Sequence, residues 1–297
     1  MPFDFAIFNG NQKIVLMVIS FGEVLMDCLP DKNVIGGAPF NVVTHLRRLG
    51  EEASMISKIG KDELGDEIFD FMQKENIAQY IQRDGNFKTG YVTVTLNNGQ
   101  PSYTIHRDCG WEHLDYKSGT PEPQYLVFGS LALHFPANKK AFEGYLKDFE
   151  NTTKVCDINL RAPFYDQETI LFCLKNTDIL KINDEELDYL KEEFKLKDVF
   201  QWLKDQFGID RIILTKGAEG SDLLWEGKQF GAEAGRVKDL KDTVGAGDAF
   251  TSMFIYGLLK GVSPVKNLQR AANFAAMICE RNGAIPSDLE MYDRFRL

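Results

Sequence analysis

Cysteine and histidine are too sparse in this chain to build a covalent framework or a metal box. The five cysteines, Cys28, Cys109, Cys156, Cys173 and Cys279, are odd in number, scattered, and show no Cys-x-x-Cys spacing. That pattern suits a reducing compartment and excludes a disulfide scaffold or a zinc knuckle. The four histidines form no i, i+4 pair, so no helical metal site is readable. Positive charge is short as well. Net charge is −10, from 34 Lys and Arg against 44 Asp and Glu, which argues against nucleic acid or an anionic membrane as partner. A polyanionic ligand would have to be held by a local pocket of backbone amides and a few basic groups. The longest apolar run near the N-terminus, Ile14–Phe21, is too short to cross a bilayer and lacks a basic flank and a cleavage site. It reads as a first β-strand, and a cytoplasmic location is expected. Residues 1–13 carry no strong pattern and are read as an extension, with Met17 a candidate natural start. Repeats and low-complexity linkers are missing too.

Short apolar runs alternate with helix-period segments, the signature of an α/β protein. Strands are expected at Ile14–Phe21, Met55–Ile59, Tyr125–Phe128, Val155–Ile158, Ile179–Ile182 and Arg211–Thr215. Helices are expected at Asn41–Leu49, Glu63–Glu75, Lys139–Phe149, Glu168–Lys175, Asp184–Glu193, Val199–Phe207 and Ala249–Leu259. Near-continuous apolar strands imply a mostly parallel central sheet with helices on both faces. Val24–Ile35 and Thr89–Ile105 instead alternate like antiparallel strands, with a turn at Asn97-Asn98-Gly99. They suggest a small antiparallel β-sheet lid, inserted at about 24–36 and 87–107 into a single domain spanning 14–297. Gly261 ends the helix at Leu259, and Ser263-Pro264 opens another that stops at Asn282-Gly283.

The most telling stretch is Asp242-Thr-Val-Gly-Ala-Gly-Asp248, leading into that apolar helix. Gly245, Ala246 and Gly247 leave backbone N–H groups open at a helix N-terminus, which makes an anion cradle. Asp248 at its edge is placed to take a proton from an attacking hydroxyl. A cradle beside a base is what transfer of phosphate to an alcohol needs. Two competitors fail. No Gly-x-x-x-x-Gly-Lys-Ser/Thr occurs, and the third glycine of a dinucleotide fingerprint is Phe250, with Glu280 the first acidic residue after Asp248. A lone aspartate at a helix start is commonly just a cap. Here, however, polar residues also follow each strand: Gly22-Glu23, Asp157 through Arg161, Asn183–Glu186 and Thr215–Gly217, with Gly36-Gly37-Ala38-Pro39-Phe40-Asn41 opening the first helix. Carboxyl ends of strands are where open α/β sheets bind ligands.

These residues resemble the ribokinase-type (PfkB) carbohydrate kinases, and within them the fructokinases, from about Val18 to Ser287. Gly36–Asn41 and Asp242–Asp248 look like the two family signatures. Gly60-x-Asp62-x-x-Gly65, Phe128–Leu131, Asp157-x-Asn159-x-Arg161, Asn183-x-x-Glu186, Thr215-x-Gly217 and Gly283–Ser287 fall between or after them in family order. The resemblance implies a ribokinase-like fold and an ATP-dependent sugar kinase acting on a primary hydroxyl. Fructose to fructose 6-phosphate is the first expectation, with ribose, a nucleoside or a keto-deoxy sugar acid as alternatives. A non-catalytic sugar or nucleotide sensor is the reading from another class.

By position, the resemblance makes Asp248 the base and Gly245, Ala246 and Gly247 the anion hole. Asp27, Gly37, Asn41, Arg107, Asn159 and Arg161 fall at the substrate. Asn183, Glu186, Thr215, Gly217, Gly220, Gly247 and Asn273 border ATP, with Glu186 organising Mg2+ through water. Asp242, Val244, Arg281, Gly283 and Ser287 match the place of a monovalent cation such as K+. The implied partners are sugar and ATP, neither nucleic acid nor membrane, and a second copy of the chain through the lid. The stretch His106–Trp111 departs from the fructokinase pattern, and His134 stands where arginine is common.

Overall fold

The computed structural model describes residues 17–97 and 100–297. The extension 1–13, the start of the first strand and the tip of the turn at 98–99 lie outside them. In chain order the elements are β1 (Met17–Phe21), β2 (Leu25–Cys28), β3 (Asn33–Gly36), α1 (Ala38–Arg48), β4 (Glu52–Gly60), α2 (Glu63–Lys74), β5 (Tyr80–Asp84), β6 (Tyr91–Asn97) and β7 (Gln100–Ile105). There follow β8 (Tyr125–Phe128), α3 (Ser130–Leu133), α4 (Pro136–Asp148), β9 (Thr153–Asp157), α5 (Gln167–Lys175), β10 (Ile179–Asn183), α6 (Asp184–Glu193), α7 (Val199–Phe207) and β11 (Arg211–Thr215). The last are β12 (Ser221–Trp225), β13 (Lys228–Ala232), α8 (Ala246–Leu259), α9 (Pro264–Cys279) and α10 (Glu290–Asp293).

Nine strands form the central sheet in the order β13-β12-β11-β10-β9-β8-β1-β4-β5. Every pair from β5 to β11 is parallel, and only the β11-β12-β13 edge is antiparallel. Residues along β1 alternate between two cores. Val18 packs with α1, α2, α8 and α9, while Ile19 and Phe21 pack with α4, α5, α6 and α7. Both faces are therefore covered, as the unbroken apolar strands require.

The expected strands and helices are present, with ends moved by a few residues. α1 starts at Ala38 because Pro39 sits in its first turn, where a missing N–H costs nothing. Three strands gave no period-2 signal in the sequence: β5 at one edge and the β12-β13 hairpin at the other. The hairpin turns on Glu226 and Gly227, both at positive φ (52° and 80°), the mirror-image turn that matches strand twist.

The second sheet runs β3-β2-β6-β7. Its two hairpins are antiparallel as expected, but they meet along a parallel β2-β6 seam. That pairing follows from chain direction, since β2 and β6 both leave the central sheet at the same end. Asp62 ties this sheet to the larger one. Its carboxylate caps α2 by accepting from Gly65 N, and accepts from both N and Oγ1 of Thr89, all within 2.6–2.8 Å. The Gly60-x-Asp62-x-x-Gly65 motif is thus an architectural clasp. Side chains at Gly60 and Gly65 would run into that turn.

Candidate functional site

The strand order reverses at β1, which has β4 on one side and β8 on the other. Loops leaving β1 and β8 diverge there and open a crevice at their carboxyl ends, the place where such sheets hold ligands. Glu23 follows β1, Phe128 ends β8, and Gly129–Leu131 lead into α3. Together with Ala38 and Pro39 of α1, Asp157 at the end of β9, Asn159 just after it, and Asp248 of α8, they line one pocket.

Asp248 lies in the first turn of α8. Asn41 Nδ2 donates to its Oδ2 at 2.7 Å, so one carboxylate oxygen is held while the other is available. Burial pushes the Asp248 carboxyl up to about 6, helped by the charge of Asp157 and opposed by Asn41, Lys181 and Arg161. Asn41 Oδ1 and Ser130 Oγ are buried and have no partner among the described residues. Ser130 lines the pocket, and a buried polar atom left unsatisfied there is an open position for a ligand's hydroxyl. Glu23, 4% exposed, is pushed to about 7 by burial, with Asp248 adding to the shift.

Gly245 is the N-cap of α8 at φ 76°. A Cβ there would lie 2.7 Å from Ala284 Cα, so glycine is needed on two counts. Gly247 is different. Its conformation is helical, and a Cβ would lie 3.1 Å from Lys181 Nζ. Ala284 belongs to the 281–287 loop, which Asp242 binds to the cradle by accepting from Val244 N and Gly283 N, both at 3.0 Å. Arg281 turns back onto Met277 O at 2.8 Å.

Other expected residues distribute as follows. Gly37 is the N-cap of α1 at φ 117°, its would-be Cβ blocked by Glu23 O at 2.5 Å. Asn159 adopts the left-handed region (φ 43°) on the pocket wall, and Arg161 is exposed just beyond it. Asn183 and Glu186 form a reciprocal capping box at α6. Glu186 accepts from Asn183 N at 2.9 Å with one oxygen and from Leu160 N at 3.0 Å with the other, which draws α6 onto the Asn159–Arg161 loop.

Thr215 ends β11 beside Asn183, and Gly217 and Gly220 bound the tight turn that follows, both at positive φ. Asn273 lies on α9 where Gly235 passes close, with Cα 2.9 Å from a Gly235 Cβ. Asp27 on β2 is pushed to about 6 by burial. Arg107 lies over the rings of Phe135 and Phe164, 4.9 and 5.3 Å from their centroids, and pairs with Glu112.

Of three further charged groups of the site, Glu23 and Asp157 stand out in the sequence only as strand-end polar residues without a role, and Lys181 escapes it altogether. Glu23, Asp157 and Lys181 are 4%, 5% and 6% exposed. Lys181 Nζ pairs with Asp157 Oδ1 at 3.0 Å. The available signal was an ionisable residue inside, or directly after, an apolar strand of a doubly covered sheet, where unpaired charge is costly.

The family model of the pfkB family carbohydrate kinases matches residues 14–291. Relatives along nearly the whole chain include a putative sugar kinase of Pyrococcus horikoshii, 28% identical over 90% of this chain and 91% of its own. Fructokinase-2 of Oryza sativa subsp. japonica is 27% identical over 91% and 90%. Among solved structures, the ATP-bound fructokinase of Xylella fastidiosa superposes with a TM-score of 0.83 at 23% identity, covering 95% of this chain and 99% of that one. With this match spanning both signatures and the crevice between them, the chain belongs to the pfkB family of carbohydrate kinases.

Proposed function

We propose that this kinase transfers the γ-phosphate of ATP to the terminal hydroxyl of D-fructose, giving fructose 6-phosphate. The observation that carries the reading is the Asn41–Asp248 pair at the mouth of the cradle. It leaves one Asp248 oxygen free to take the hydroxyl proton while the amides of Gly245, Ala246 and Gly247 receive the phosphoryl charge. Transfer is direct and in line, with no phosphoenzyme. Asp27, Gly37, Asn41 and Asn159 clamp sugar hydroxyls, with Arg107 and Arg161 supplying positive charge on the substrate side. Asn183, Glu186, Thr215, Gly217, Gly220 and Asn273 border the nucleotide.

Among the described residues no cluster of three or more His, Cys, Asp or Glu could hold a metal. Both Glu186 oxygens already accept backbone N–H groups, which suits an outer-shell role toward hydrated Mg2+ carried by the triphosphate. Mg2+ there would neutralise phosphate charge. A monovalent cation between the 242–245 and 281–287 loops would brace the cradle that Asp242 already ties together. No helix of the described residues is long and apolar enough to cross a membrane.

Fructose is favoured by the fructokinases among the relatives. The test is ADP release across hexoses, pentoses and nucleosides, with and without potassium. The highest kcat/KM is expected for fructose. A value for ribose or a nucleoside tenfold above it would overturn the substrate while leaving the kinase chemistry standing.

A further inference from the structure

Lys181 occupies the middle of β10 between Leu180 and Ile182, both fully buried. A lysine there loses its hydration, a cost that pairing of its charge must offset. Burial pulls its ammonium toward neutrality, but the carboxylates of Asp157, Glu186 and Asp248 outweigh this and hold it charged. Nζ donates to Asp157 Oδ1 at 3.0 Å. The other oxygen of Asp157 accepts from Thr251 Oγ1 at 3.0 Å, and that hydroxyl also lies 3.1 Å from Gly247 O. On the other side, Nζ lies 3.1 Å from where a Gly247 Cβ would be. The ion pair therefore abuts α8 at Gly247 and is bonded to it at Thr251, immediately before and one turn beyond Asp248. A buried ion pair is weak support for stability as such, so its placement against this turn calls for another reason.

We propose that Lys181 is a positioning residue for the base: anchored by Asp157, its ammonium fixes the first turn of α8 against the sheet and balances the negative charge facing Asp248. The inference rests on the kinase reading, in which Asp248 is that base. The groups facing Asp248 are Glu23 from the β1-β2 loop, Asn41 from α1, Asp157 from β9, Arg161 from the loop after β9, and Lys181 from β10. Glu186 from α6 faces Lys181 and Asp157. Asp157 raises the Asp248 carboxyl and Lys181 lowers it, so removing the two charges has opposite effects.

The experiment titrates the Asp248 carboxyl by 13C NMR in the resting protein and follows the acid limb of kcat/KM for fructose. Lys181→Met is expected to move both midpoints upward by about one pH unit or more, and Asp157→Asn to move them downward. The paired variant Lys181→Met/Asp157→Asn buries no lone charge, and its midpoint should lie between those of the single variants. A packing role alone would give no opposite signs. Midpoints of both single variants within about 0.3 pH units of wild type, well under the shift a charge at this range produces, would overturn the proposal. So would shifts of the same sign, or a paired variant outside the interval. The NMR arm needs no turnover, so its failure is distinct from failure of the kinase reading, which Asp248→Asn tests.

Discussion

Asn41 and Asp248 are 207 positions apart in sequence, yet the amide of one donates to the carboxylate of the other at 2.7 Å. The first helix thereby orients the carboxylate carried by the eighth. It also leaves Asn41 Oδ1 buried without a partner among the described residues.

Replacing Asp248 by Asn keeps size and cannot accept the proton. A loss of about 10²–10⁴-fold in kcat is expected, with ATP binding unchanged by calorimetry. In wild type the carboxyl must be ionised to work. Because it is held at about 6, kcat/KM should fall as pH drops through that value. A rate still flat at pH 4.5 would mean that another group is the base.

Gly245 and Gly247 should respond differently to the same methyl group. Gly245→Ala meets Ala284 and a positive φ of 76°, so a loss of about 1–3 kcal/mol in stability is expected together with activity. Gly247→Ala meets no backbone strain but presses on Lys181 Nζ at 3.1 Å. Its melting temperature should stay near wild type while kcat drops by at least about tenfold, as for a displaced oxyanion-type donor. Equal melting temperatures for the two variants would contradict this contrast.

Glu23→Gln is expected to stabilise the protein in a pH-dependent way. The folded-state carboxyl is raised from 4.5 to about 7, so the native state binds the proton more tightly and stability declines as pH rises between those values. Glutamine escapes that loss. Between pH 5 and 8 the variant should gain about 1–3 kcal/mol relative to wild type, at 1.36 kcal/mol per pH unit. Parallel urea unfolding curves at both pH values would show that the carboxyl is not shifted.

Asp27→Ala tests the sugar side. A hydrogen bond from substrate to a half-buried carboxylate such as Asp27 contributes roughly 1.5–3 kcal/mol, so kcat/KM for fructose should drop by about 10–10²-fold. KM for ATP should change by less than about twofold, since uniform loss on one substrate leaves the other untouched. A matching rise in KM for ATP would place Asp27 outside the sugar site.

Much of this molecule was legible before any coordinates. Apolar runs with period 2 and helical segments with period 3.6 mark the parallel core, because both signals are local and every element there buries one or two faces. Gly245–Gly247 before an apolar helix is likewise a local pattern, set by backbone sterics and the helix dipole. The edge strands β13 and β5 were not legible, since edge strands are half solvated and tolerate polar residues on both faces.

What only the tertiary structure decided is which distant groups meet. Periodicity says that β1, β8, β9 and β10 are strands, but their order comes from how the crossovers pack helices on the two faces. That order puts the switch point between β1 and β8 and so gathers Glu23, Asp157 and Asp248 around one crevice. It also converts Lys181, which reads in sequence as an interruption of an apolar strand, into a paired ammonium beneath Gly247. Local sequence encodes each residue's chemistry. The burial that shifts Asp248 and Glu23, and the partners that oppose those shifts, exist only once the strands are side by side.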